Sequence, residues 1–78
     1  MYPVQCKMAR AAFGWGIRDL AKAAKVSADT VSRLERGEVL MERTLDALRV
    51  AFESAGIQFI DEGTEGPGVR FKVPIGYR

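Results

Sequence analysis

The side chains of this sequence that could do chemistry are almost all charges. There is no histidine, and Cys6 is the single cysteine of 78 residues, so no internal disulfide is possible and a zinc site of nitrogen and sulfur ligands is not expected. No nucleophile elbow or phosphate-loop glycine pattern occurs, and the carboxylates are scattered. We therefore expect no enzyme activity, no cofactor and no metal. What remains is ionic and hydrogen-bonding chemistry. Residues 1–36 carry seven basic groups (Lys7, Arg10, Arg18, Lys22, Lys25, Arg33, Arg36) against three acidic ones (Asp19, Asp29, Glu35), a net of +4. Residues 37–56 carry two basic groups against four acidic, a net of −2, and the last 22 residues balance at three of each. The modest overall +2 thus hides a positive first half, suited to meeting a polyanion. An unevenly charged solvated surface gives the same count.

The elements that position these charges follow from periodicity. Pro3 suits the first turn of a helix, and Cys6, Ala9 and Phe13 recur at i, i+3 and i+7 before Gly14 stops it. Cys6 on that stripe reads as a small hydrophobe. Trp15 either seals the core or stacks on a base, and paired bases hide their faces, which favours packing. A second helix spans Ile17 to Ala24, with Leu20 and Ala24 inward. Arg18 in its first turn opposes the helix dipole unless it faces a phosphate. Lys25 and Val26 make a turn. Ser27 caps a third helix with Val31 and Leu34 inward, with Ala28, Asp29, Ser32, Arg33 and Arg36 outward, and with Gly37 as its stop. Two short helices at a tight turn, the second with a polar outer face, form a helix-turn-helix, a pattern that enters the major groove of duplex DNA. Glu38 to Arg43 reads as a linker, Thr44 as the cap of a fourth helix carrying Leu45, Leu48 and Phe52, and Gly56 as its end.

After Gly56 the period becomes two. Ile57, Phe59 and Asp61 alternate with Gln58, Ile60 and Glu62, and Val69, Phe71 and Val73 alternate with Arg70 and Lys72. Glu62 to Gly68 is a loop, Pro74 stops the second strand, and Ile75–Arg78 is a tail. The expected fold is mainly α: four helices, then a C-terminal β-hairpin. Residues 1–56 form the DNA-binding unit, and residues 57–78 a hairpin and tail. An isolated hairpin is marginal in water. It either covers the chain's own helices or pairs edge to edge with a second copy, and we expect a homodimer contact from Ile57, Phe59, Val69, Phe71 and Val73.

The run LAKAAKVSADTVSRLERGE, preceded by a helix ending in FGW and followed by TLDALRVAFESAGIQFID, resembles the Cro/CI-type (XRE) helix-turn-helix regulators over roughly Gln5 to Asp61. The closing GIQFID and GPGVRF resemble short bacterial members with a hairpin in place of a last helix. The resemblance implies a Cro/CI-like domain whose third helix lies in the major groove, with Ala28, Asp29, Ser32 and Arg33 at base edges. It also implies a structural ion pair between Arg10 and Glu35. Arg18, Lys25, Arg36 and Arg43 are then candidates for phosphate. Two positions depart from the family pattern. Gly16 and Ile17 stand where many members carry a Ser or Thr cap followed by Gln. Lys25 stands where the turn often has glycine, so either the turn has another shape or a left-handed lysine is tolerated.

The expected function is a sequence-specific, double-stranded-DNA-binding transcriptional regulator, a repressor acting as a homodimer on a palindromic operator. With no apolar run near the length of a membrane span and no basic-then-apolar leader, we expect a cytoplasmic, nucleoid-bound bacterial protein, with no membrane contact and no small-molecule ligand. The alternative is an antitoxin or antiactivator that chiefly binds a second protein and binds DNA as autoregulation.

Overall fold

The computed structural model describes residues 1–74, so the tail Ile75–Arg78 lies outside the described residues. It contains α1 (Pro3–Phe13), α2 (Ile17–Ala24), α3 (Ala28–Glu35), α4 (Glu42–Ala55), β1 (Ile57–Ile60) and β2 (Gly68–Phe71). The mainly helical fold with a C-terminal antiparallel hairpin is as the sequence implies.

Helix starts are fixed by short polar contacts. The Ser27 hydroxyl accepts from the Thr30 N–H at 3.1 Å and caps α3. Gly16 has no side chain with which to cap α2. Instead the Asp19 carboxylate, three residues on, accepts from the Gly16 N–H at 2.8 Å, and it also suits the dipole of that first turn. Gln5 does the same for α1, its Oε1 accepting from the Tyr2 N–H at 2.8 Å. Thr44 is not the cap of α4. That helix starts earlier, at Glu42, behind Met41, and the Thr44 N–H is already bonded to the Met41 carbonyl at 2.9 Å. The linker before it shortens accordingly, and Glu42 sits where a negative charge favours the helix dipole.

Three helix ends share one closure. The N–H groups of Trp15, Val26 and Glu38 donate to the carbonyls of Arg10, Ala21 and Arg33 at 2.9, 3.0 and 3.0 Å. Each closure passes through a left-handed residue: Gly14 (φ 69°), Lys25 (φ 59°) and Gly37 (φ 90°). Lys25 is the single non-glycine residue at positive φ among the described residues. The turn between α2 and α3 thus keeps the shape glycine would give, at a strain of roughly 1–2 kcal/mol.

The core gathers Cys6 and Ala9 of α1, Leu20 and Ala21 of α2, Val31 and Leu34 of α3, Leu48 and Phe52 of α4, and Ile57 and Phe59 of β1. Trp15 packs between Phe13 and Phe52, with ring centroids 4.9 and 5.7 Å away. In the hairpin, Ile57 faces Phe71 and Phe59 faces Val69 across the register, and the strands are shorter than the alternation suggests. Gln5, which apolar periodicity passes over, is buried, and its Nε2 donates to the carbonyls of Ile60 and Gly68, each at 3.0 Å. One amide therefore ties α1 to both strands. The helical residues and the hairpin share a single hydrophobic core.

Candidate nucleic-acid interface

α3 is held from behind in two ways. Val31 and Leu34 are buried in the core. Glu35, at the end of the helix, is gripped by Arg10 of α1: Arg10 Nε donates to Oε2 at 2.7 Å and Nη2 to Oε1 at 2.8 Å, while Nη1 donates to the Trp15 carbonyl at 3.0 Å. The Cys6 thiol adds a bond to Oε2 at 3.1 Å. Side-chain exposure is 20% for Arg10 and 7% for Glu35. Burial pushes the Glu35 carboxyl up, but the hydrogen bonds from Arg10 and Cys6 together outweigh it and hold it below its ordinary value. The Cys6 thiol is pushed up to about 12, first by burial and then by its bond to Glu35, so it stays protonated and unreactive.

With its inner face and its end fixed, α3 turns the remaining residues outward. Asp29, Arg33 and Arg36 follow at i, i+4 and i+7, with Ala28 and Ser32 beside them at i and i+4. Asp29 and Arg36 are exposed; Ser32 and Arg33 are half-exposed. Ala28 is partly buried against the core, which leaves a methyl-sized apolar spot at the start of the helix.

The anion nearest Arg33 is Glu38, which the sequence pattern assigns to a linker. Arg33 Nε donates to Glu38 Oε1 at 3.1 Å, and Arg36 donates to Oε2 through Nε at 3.2 Å and Nη2 at 2.9 Å. The bonds from Arg36 and then Arg33 hold the Glu38 carboxyl below its ordinary value. The signal available in the sequence was the glycine at Gly37, which reverses the chain and returns the next side chain to the helix it has just left.

The remaining candidate phosphate residues lie on α2, on the turn after it and on α4. Arg18 is exposed in the first turn of α2. Lys25 and Arg43 line one shallow groove with Asp46, over a floor that includes Ala24, Ala47 and Val50, where the end of α2 meets α4. Arg36 stands apart from that groove, on Glu38. The hairpin residues divide by depth: Ile57 and Phe59 are buried in the chain's own core, Val69 and Phe71 are half-buried, and Val73 is exposed. Among the described residues, no helix is long and apolar enough to cross a membrane.

No match is found among curated proteins. A family model described as a helix-turn-helix domain matches residues 5–53, from the buried Gln5 through α4, and so covers well over half of the chain. Because that span contains α2, the left-handed turn and α3 in the order the geometry gives, the chain belongs to this helix-turn-helix domain family, which is typical of XRE-like DNA-binding regulators.

Proposed function

We propose that this protein is a sequence-specific transcriptional repressor that binds a two-fold-related operator as a homodimer. The observation that carries the reading is the mounting of α3. Core packing and the Arg10–Glu35 pair fix its inner side, and a polar ridge of Asp29, Ser32, Arg33 and Arg36 is left outside. In the major groove Arg33 bonds guanine O6 and N7, Asp29 accepts from a cytosine amino group, Ser32 bonds either kind of edge, and Ala28 meets a thymine methyl. Arg18, Lys25, Arg36 and Arg43 grip phosphates, which set register without reading sequence.

In this reading residues 1–56 bind DNA and the hairpin segment from residue 57 joins two copies. Ile57 and Phe59 support the sheet from inside, so the contact falls on strand edges, on the half-buried Val69 and Phe71, and on the exposed Val73. Two copies then place their third helices about 34–36 Å apart. Repression follows from occupying the operator and blocking polymerase. The second reading, a protein-binding antitoxin or antiactivator, is favoured by Val39 and Met41, 94% and 58% exposed beside the turn after α3. The test is selection of duplexes from a random pool, together with the sedimentation mass of the free protein. A palindromic selected site and a mass of two chains are expected. A non-palindromic site bound by a single chain contradicts the dimer.

A further inference from the structure

Glu38 lies three residues beyond Glu35, the last residue of α3, and its geometry suggests a task in readout. The backbone of this turn is closed without its side chain, since the Glu38 N–H already bonds the Arg33 carbonyl at 3.0 Å. The side chains of Arg33, Arg36 and Glu38 are 42%, 58% and 45% exposed, so their ion pairs are screened by water and contribute little to stability. What the contact fixes is direction. A guanidinium can meet guanine O6 and N7 side-on, through Nε and one terminal nitrogen, or end-on, through Nη1 and Nη2. Arg33 gives the carboxylate its Nε alone, and the end-on fork remains for a ligand. Arg36 gives both Nε and Nη2, which uses up its side-on fork. Asp29, four residues before Arg33 on the same face, is the other carboxylate that could have taken this role, but the bond goes to Glu38.

We infer that Glu38 is a positioning residue for sequence readout: it holds Arg33 by Nε so that Nη1 and Nη2 face a guanine end-on, while its charge opposes indiscriminate phosphate binding at Arg36. The inference rests on the reading of α3 as the base-contacting helix. Only the first effect raises discrimination, because a pre-ordered Arg33 loses less freedom on binding the correct site; the second, a carboxylate beside the phosphates, lowers affinity for every duplex alike.

The test uses the full chain and two duplexes of equal length, one recovered by selection with the wild-type protein and one scrambled. Four proteins are titrated: wild type, Glu38→Ala, Glu38→Gln and Arg33→Ala. Glu38→Ala is expected to lower the ratio of selected to scrambled affinity by about 2- to 12-fold, the equilibrium equivalent of ordering one rotamer-rich side chain. Its binding to the scrambled duplex should tighten. Glu38→Gln keeps an oxygen that can accept from Arg33 Nε, so it should retain most of the ratio while the scrambled duplex still binds more tightly. In the free protein, the Arg33 Nε–H resonance should be protected from exchange in the wild type and in Glu38→Gln, and unprotected in Glu38→Ala. An unchanged ratio in Glu38→Ala, beside a lowered ratio in Arg33→Ala, overturns the role of Glu38 and leaves the reading of α3 intact. An unchanged ratio in Arg33→Ala overturns both.

Discussion

Glu35 and Glu38 stand three residues apart at the same helix end, and each meets arginine. Glu35, 7% exposed in its side chain, is held by a two-pronged arginine and a thiol; Glu38, 45% exposed, is shared by two arginines in water. The chemistry is alike and the surroundings are not. Low dielectric strengthens the first contact and makes an unpaired partner unfavourable, so it acts on the fold by locking α3 to α1. Water screens the second, so it can be exchanged for a ligand with little effect on the fold. The inner pair holds α3 in place; the outer one leaves its arginines open to a ligand.

The largest effect should come from breaking the inner pair. Arg10→Ala leaves the Glu35 carboxylate buried without its main partner and removes the bond to the Trp15 carbonyl. A loss of about 2–3 kcal/mol in urea unfolding is expected, below the roughly 3–5 of a fully buried pair because Arg10 keeps part of its side chain in water. The same pair sets an acid limit. The folded pKa of Glu35 lies below the ordinary 4.5, so its contribution is fully present above that value and is lost as pH falls through the folded pKa. Glu35→Gln should flatten that part of the stability profile. Unchanged stability in Arg10→Ala would place both glutamates in the same class and end the comparison.

A smaller effect with two opposite signs is expected at Lys25. Lys25→Gly relieves the left-handed strain and should raise stability by about 0.5–1 kcal/mol after the glycine entropy penalty. If Lys25 also grips phosphate, the same variant should bind all duplexes more weakly. Thermal melting and DNA titration of this one variant therefore separate a residue kept for binding from one kept for folding. Tighter stability with unchanged binding removes Lys25 from the phosphate set.

Much of this was legible in the sequence because the chain punctuates itself. Gly14, Gly37 and Gly56 mark three helix ends, Ser27 marks a start, and the change from helical spacing to alternation after Gly56 marks the hairpin. What escaped were polar side chains acting at a distance from their own periodic pattern. Gln5 is hidden because apolar spacing counts only apolar residues, yet it joins α1 to both strands. Asp19 enters only the charge count and Glu38 only a linker, because their partners depend on where the backbone turns. Thr44 has the chemistry of a cap, but α4 had already begun. The alternation of Ile57 and Phe59 gives an apolar face without saying what that face covers, and it covers the chain's own core.

The proposed division of labour is that Arg33 reads bases while Arg43 holds the phosphate backbone. It is tested by titrating Arg33→Ala and Arg43→Ala against a selected and a scrambled duplex across a salt series. Arg33→Ala should lose about 1–3 kcal/mol on the selected duplex and little on the scrambled one. Arg43→Ala should weaken both alike and reduce the salt slope by about 1. Equal losses on both duplexes for Arg33→Ala, or no binding of either duplex by the wild type, would contradict the account.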